Sequence, residues 1–248
     1  MSYSLPTQAA VRRRPAVPLA RLRAQAAGGL SVALATGAVS IVTVLNKFGP
    51  LPLRDLAASE RAVGEGRVWL LVTSAFVADR PAVPSIAGLA IVGLAVLAFC
   101  GVRLLLATAA LGHVGGTVAV YGGLALAHAA DHGLATHAMG SADYGTSAII
   151  AAWIGVIAYA VWRRGSGVAA LALCVLSGLV GWLFRPDLDV LDTEHLVALG
   201  IGIALAASIG VGAGAGASSG AGSAASSGQA SLQAVRSRAA RSPAEAKT

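Results

Sequence analysis

Apolar residues run along this chain in long blocks separated by short polar breaks. The first block extends from about Gly28 to Leu45 and follows a polar, basic stretch over residues 1–26. At 1.5 Å of rise per residue, about 20 apolar residues cross the hydrocarbon core of a bilayer. The block from Ser85 to Ala127 is long enough for two crossings and is divided by Arg103. Its halves predict helices at about 85–102 and 104–127. Three further blocks predict helices at about 143–162, 167–184 and 193–213. The breaks fall at 128–142, 163–166 and 185–192. The pattern therefore predicts an all-α integral membrane protein with six transmembrane helices over residues 27–213.

Between the first two helices lies a mixed-charge stretch, 46–84, with prolines at 50, 52, 81 and 84. Its semi-apolar island, Val68 to Phe76, is too short to span a bilayer. It suits the interface, with Trp69 at headgroup level. The first block has the basic start of a signal peptide. It is long, however, and Asn46-Lys47-Phe48-Gly49-Pro50 follows with no small-x-small cleavage pattern, which predicts a retained helix. From Gly212 to Gly228 the chain is almost pure Gly, Ala and Ser, so 214–248 is expected to be a flexible tail with a basic end.

Composition agrees. Apolar residues make up 56% and charged residues 12% of the chain, where a soluble domain carries about 25% charged. The mean hydropathy is +0.74. The net charge of +7 raises the question of nucleic acid, but the charges are scattered between apolar blocks without interleaved aromatics, so no nucleic-acid partner is expected. The charges instead orient the chain. With the first residues in the cytoplasm, the cytoplasmic segments hold Arg12, Arg13, Arg14, Arg21, Arg23, Arg103, Arg163, Arg164, Arg236, Arg238, Arg241 and Lys247, while every acid except Glu245 lies on the other side. The positive-inside rule then predicts a multi-pass protein of the plasma membrane with both termini cytoplasmic. Cys100 and Cys174 both lie in apolar blocks, without the paired spacing of a disulfide framework or zinc site.

Few polar groups fall inside the predicted spans. No Asp, Glu or Lys sits at the middle of one, which argues against an ion-coupled transporter, a third class of function to be weighed. Ser147, in Asp143-Tyr144-Gly145-Thr146-Ser147-Ala148, and His195, in Asp192-Thr193-Glu194-His195-Leu196, each lie about one turn into a helix. Both helices run in the same direction, so the two side chains share a shallow depth. A serine beside a histidine is the minimum pair for acyl transfer, with imidazole taking the hydroxyl proton as the oxygen attacks a carbonyl. The amino end of the fourth helix would offer N–H groups and a positive dipole to the oxyanion. Against this, such a serine also serves helix packing and such a histidine also suits the lipid–water boundary.

These motifs resemble the rhomboid intramembrane serine proteases. Gly145-Thr146-Ser147-Ala148 is similar to the family's Gly-x-Ser-Gly motif on helix 4, with Ala148 for the last glycine. His195, Ala198 and Gly202 are similar to its His-x-x-Gly-x-x-x-Gly pattern on helix 6, with Ala198 for one glycine. The segment Gly66 to Phe76 resembles its Trp-Arg-x-x-Thr-x-x-Phe loop, with Leu70 where arginine is usual. The resemblance covers about 28–213. It implies a six-helix rhomboid-like bundle, Ser147 as nucleophile, His195 as general base, no cofactor, and transmembrane proteins in a lipid setting as substrates. Residues 85–102 lack the family's oxyanion-holding His and Asn, and Ala151 replaces its aromatic residue packed on the base. These departures leave open a catalytically inactive, rhomboid-like protein that binds membrane helices.

Other polar residues have plainer readings. His113, deeper in the third helix, suits an interhelical hydrogen bond among glycines better than a proton relay or ligand role. His128, His132 and His137 cluster with Asp131 in a loop best read as solvated, with no metal site. Asp192 could orient His195, but reads more simply as a loop acid. Glu194, the neighbour of His195, would point elsewhere.

The charge asymmetry makes one test direct. A reporter fused after Gly228 should read out in the cytoplasm, and one inserted near His132 should read out outside. A tail reporting from the exterior would overturn the helix count.

Overall fold

A computed structural model describes residues 19–78, 82–130, 139–184 and 190–210. Among these, regular structure is helical, and the only β feature is an isolated bridge between Ala58 and Asp143. The predicted N-terminal segment up to residue 18, the tail from 211 and the loop with Asp131, His132 and His137 lie outside the described residues.

The long elements are α1 (Leu19–Phe48), α4 (Ala82–Cys100), α5 (Val102–Ala110), α6 (Gly116–Ala130), α7 (Ser147–Arg163), α8 (Gly167–Phe184) and α9 (Val190–Ser208). Two short helices, α2 (Glu60–Gly64) and α3 (Leu70–Thr73), lie between α1 and α4, with 3-10 turns at Leu53–Asp55 and Ser74–Phe76. A π turn, Leu111–Gly115, joins α5 to α6 into one continuous rod.

Three helical stretches are long and apolar enough to cross a membrane: Leu22–Phe48, Ala82–Cys100 and Val102–Ala130. Three shorter apolar helices accompany them, Ser147–Arg163, Gly167–Gly178 and Thr193–Ser208. Large apolar side chains stay exposed on α1 (Leu30, Leu34, Ile41), α4 (Ile91, Leu94) and α8 (Val168, Leu171, Val175). An exposed apolar surface of this extent calls for lipid rather than water.

Boundaries differ from expectation where helix and membrane span part company. The first helix begins at Leu19 and not Gly28, because helical hydrogen bonding continues through Arg21 and Arg23 beyond the apolar block. The turn between α4 and α5 is tighter than a charge break suggests. Gly101 alone separates them, at φ +88°, where a side chain would be strained. The fourth helix starts at Ser147, not 143, because Asp143 to Thr146 are drawn off into contacts with the segment between α1 and α4. The last helix spans Val190–Ser208 against an expected 193–213, while α8 matches the expected 167–184.

The core lies around α7. Val96 and Leu97 of α4, Leu104 and Leu105 of α5, and Trp153 and Val156 of α7 form one buried cluster. The Trp153 indole N–H donates to the Leu105 carbonyl at 3.0 Å, so its one polar atom is satisfied inside the bundle. The seam between α7 and α9 is built from small residues. Ala148, Ala151, Ala152 and Ala198 form one buried cluster, and Gly202 lies so close to Ala152 that an added Cβ would meet the Ala152 carbonyl oxygen. The cluster joins the first halves of both helices, so the two run parallel. Close backbone approach through Gly and Ala is the usual means of helix association where lipid removes the hydrophobic drive.

Close approach predicts a position-specific cost. Gly202→Ala and Gly155→Ala, the latter against the Leu199 carbonyl, should each lower stability by about 1–3 kcal/mol, the usual cost of overpacking. Gly200→Ala, with nothing within 4 Å of the new Cβ, should be neutral or stabilising, since Gly costs a helix about 1 kcal/mol relative to Ala. Thermal unfolding in detergent measures all three.

Candidate functional site: a buried polar cluster beneath the Ser147 and His195 ends

Polar side chains collect where α7 and α9 begin. His113, Thr117 and Tyr121 recur every fourth residue from the π turn into α6, which places them along one helix face. All three are buried. Thr117 Oγ lies 2.6 Å from Glu194 Oε1 of α9 and 2.8 Å from the His113 carbonyl oxygen, so its hydroxyl proton is placed between two acceptors. Tyr121 donates to Asp143 Oδ2 at 3.2 Å. His113 Nε2 is 3.1 Å from Ser74 Oγ, and its Nδ1 is 3.9 Å from Glu194 Oε1. Thr117 and Tyr121, one turn apart on α6, thus hold the Glu194 and Asp143 carboxyls at neighbouring positions. Ser74 is 0% exposed, His113 and Glu194 3% each.

The cluster joins four parts of the chain that are distant in sequence. Its frame is the segment between α1 and α4. Ser59 caps α2, its Oγ accepting from the Ala62 N–H at 3.2 Å. Ala58 and Asp143 exchange two backbone bonds, at 2.8 and 2.7 Å. The Arg61 N–H donates to the Met139 carbonyl at 3.1 Å, and the Gly145 N–H to the Ser74 carbonyl at 3.0 Å. Gly145 sits at φ +127°, a conformation open to glycine, and this bend delivers Thr146 and Ser147 to the start of α7. Thr43 of α1 ties down the other end, its Oγ accepting from the Ala78 N–H at 3.0 Å.

Ser147 is the first residue of α7 and is exposed. Thr146 before it is buried, and its hydroxyl neither caps the helix nor finds another partner. His195 is half-buried, three residues before Ala198. Ala148, beside Ser147, and Ala198, three residues after His195, belong to one buried cluster, so Ser147 and His195 lie towards the same end of the seam. Ala151, where an aromatic was noted as missing, is buried in that seam with Ala148, Ala152 and Ala198.

The other expectations fall as follows. His113 does make a hydrogen bond, but to Ser74 of the segment between α1 and α4 and not between two long helices. Trp69 is exposed. Cys100 and Cys174 are free thiols. His128 lies in α6. Asp192 falls within α9. Among the described residues no group of three His, Cys, Asp or Glu side chains is arranged to hold a metal ion. The sequence reading missed Ser74, Thr117, Tyr121, Asp143 and Glu194 as members of one site. Compared with known proteins, the chain matches no family model, no curated protein and no solved structure.

A buried carboxyl needs each of its donors. Thr117→Val keeps the side-chain volume but takes the hydroxyl from Glu194. Leaving a buried polar group unpaired costs about 1–3 kcal/mol. Thr117→Val should lower the detergent melting temperature accordingly, while a change at exposed Val118 of the same helix should not.

Proposed function

We propose that this chain is a rhomboid-like protein of the plasma membrane, with six spans formed by α1, α4, the α5–α6 rod, α7, α8 and α9. The three shorter helices contain 17, 18 and 19 residues, within the range of about 17–25 that suffices for a crossing. Their parallel and antiparallel order fits the charge pattern, with Arg163 and Arg164 at the end of α7 opposite to Ser147.

The activity proposed is that of an intramembrane serine protease acting on a peptide bond in or near a substrate's transmembrane segment, without a cofactor. Ser147 is the nucleophile and His195 the general base. The observation that carries this reading is their common position at one end of the α7–α9 seam, with Ser147 exposed at a helix start. The first N–H groups of α7 receive no side-chain cap, so they remain for an oxyanion as carbonyl oxygen becomes alkoxide. Imidazole takes the Ser147 proton during attack and returns it to the leaving amine. Partners are membrane lipids and transmembrane protein substrates.

A second reading has its own support. Ala82–Cys100 contains neither His nor Asn, so the donors that would flank the oxyanion in the family are missing from α4. Loss of one such donor costs about 10²–10³ in rate. The same bundle would then serve as an inactive rhomboid-like protein that binds membrane helices as clients.

A fluorophosphonate probe separates the two. The protease reading expects slow labelling of the wild type. It expects Ser147→Ala, His195→Ala and the double variant to lose labelling about equally, because the pair acts as a unit. Labelling that persists in Ser147→Ala places the reactive group elsewhere. A well-folded wild type that never labels favours the client-binding reading.

A further inference from the structure

Asp143 and Glu194 each stand near one member of the proposed pair. Asp143 is four residues before Ser147, and Glu194 directly precedes His195. One face of α6 holds their side chains at neighbouring positions in the core, Tyr121 bonded to Asp143 and Thr117 to Glu194. The Asp143 backbone is fixed twice to Ala58, and the following turn is fixed through Gly145 to Ser74. α6 therefore links the turn that carries Ser147 to the end of α9 that carries His195.

We infer that the pair of acids held on α6, Asp143 by Tyr121 and Glu194 by Thr117, is a positioning clamp that sets the spacing of Ser147 and His195, a role that rests on the reading of these two as the reacting pair. Neither carboxyl touches substrate. They act through the backbone that each shares with a reacting residue. General-base transfer needs about 2.6–3.2 Å between the partners, and a 1 Å misplacement costs up to about 10²-fold in rate, so control of this spacing is control of rate.

An amide at position 194 keeps an acceptor for the Thr117 hydroxyl, so Glu194→Gln preserves the clamp while Glu194→Ala removes it.

Two measurements test this, one independent of activity. In a Cys100→Ser, Cys174→Ser background, spin labels on Ser147→Cys and His195→Cys report the spacing by their dipolar coupling. The clamp expects a narrow distribution in the wild type, a broad one with Glu194→Ala, and a narrow one with Glu194→Gln. A folded Glu194→Ala with an unchanged distribution overturns the clamp. If Glu194→Ala does not fold, Tyr121→Phe is measured instead. It frees Asp143 while keeping both carboxyls, and an unbroadened distribution again overturns the proposal. In the otherwise wild-type chain, fluorophosphonate labelling should fall at least about tenfold with Glu194→Ala and recover with Glu194→Gln. Labelling that is indifferent to Ser147 sinks the protease reading alone, since the spin-label distances still decide the clamp.

Discussion

A carboxyl group in an apolar bundle is tolerable only when its hydrogen bonds are made, and the arrangement around Glu194 follows from that requirement. An unpaired polar group in the low-dielectric interior costs several kcal/mol. Glu194 is met by Thr117 Oγ from α6, and at longer range by the His113 ring from the π turn. One turn along α6, Tyr121 holds Asp143 of the turn before α7, and His113 in turn meets Ser74. These linked demands fix the relation of α9, α6, the 139–146 turn and the segment between α1 and α4. Apolar packing alone, being non-directional, would leave their register free.

The π turn is part of the same solution. Gly112 and His113 are adjacent, yet both are buried. Gly112 faces α7, where an added Cβ would meet the Ala152 methyl, and His113 faces Ser74 and Glu194. A regular helix turns about 100° per residue, and π turns are rare features found mostly at sites with special demands. Widening the helix over Leu111–Gly115 lets one residue pack against α7 while the next reaches the polar cluster. The small-residue seam supplies the complementary constraint, since α9 can bring Glu194 to α6 only if Gly202 and Gly155 let it lie against α7.

Much of the fold was legible because lipid imposes a coarse rule, and coarse rules read well from composition. The bounds of α8 follow from Arg163 to Ser166 on one side and Arg185 on the other. The start of α7 did not, because Asp143 to Thr146 are held by Ala58 and Ser74, more than sixty positions away, and long-range backbone pairing leaves no local trace. The buried cluster was not legible in the same way, although Ser147 and His195 mark the helix ends beside it. Glu194 was set aside as a neighbour pointing away from His195, which is true, but away from His195 is inward. The signal lay in the row Glu194, Ala198, Gly202 and Ala206, spaced every fourth residue with three small members, all buried. Followed back from its small residues, that row marks Glu194 as core-facing. The row His113, Thr117 and Tyr121 carries the same spacing and was equally visible. Ser74 had no such signal, because its partner sits in a helix of different register.

The two polar groupings at this end of the bundle have opposite needs, and that sets the limits on any chemistry here. Hydrolysis needs water and an accessible nucleophile, and Ser147 is exposed at the first turn of α7. The cluster beneath it needs water kept out, since competing hydrogen bonds from solvent would weaken the contacts of Glu194 and Asp143. Thr146 stands between the two, buried while Ser147 is not. One residue of helix rotation thus separates a wet surface from a dry core. A substrate helix that entered between α4 and α7 would have to part apolar side chains such as Ile86, Ile149 and Ile150. The polar cluster is held by other contacts, the bonds of Ala58, Ser74 and Asp143. On the proposed reading, admission of a substrate and the register of Ser147 and His195 would therefore depend on different contacts.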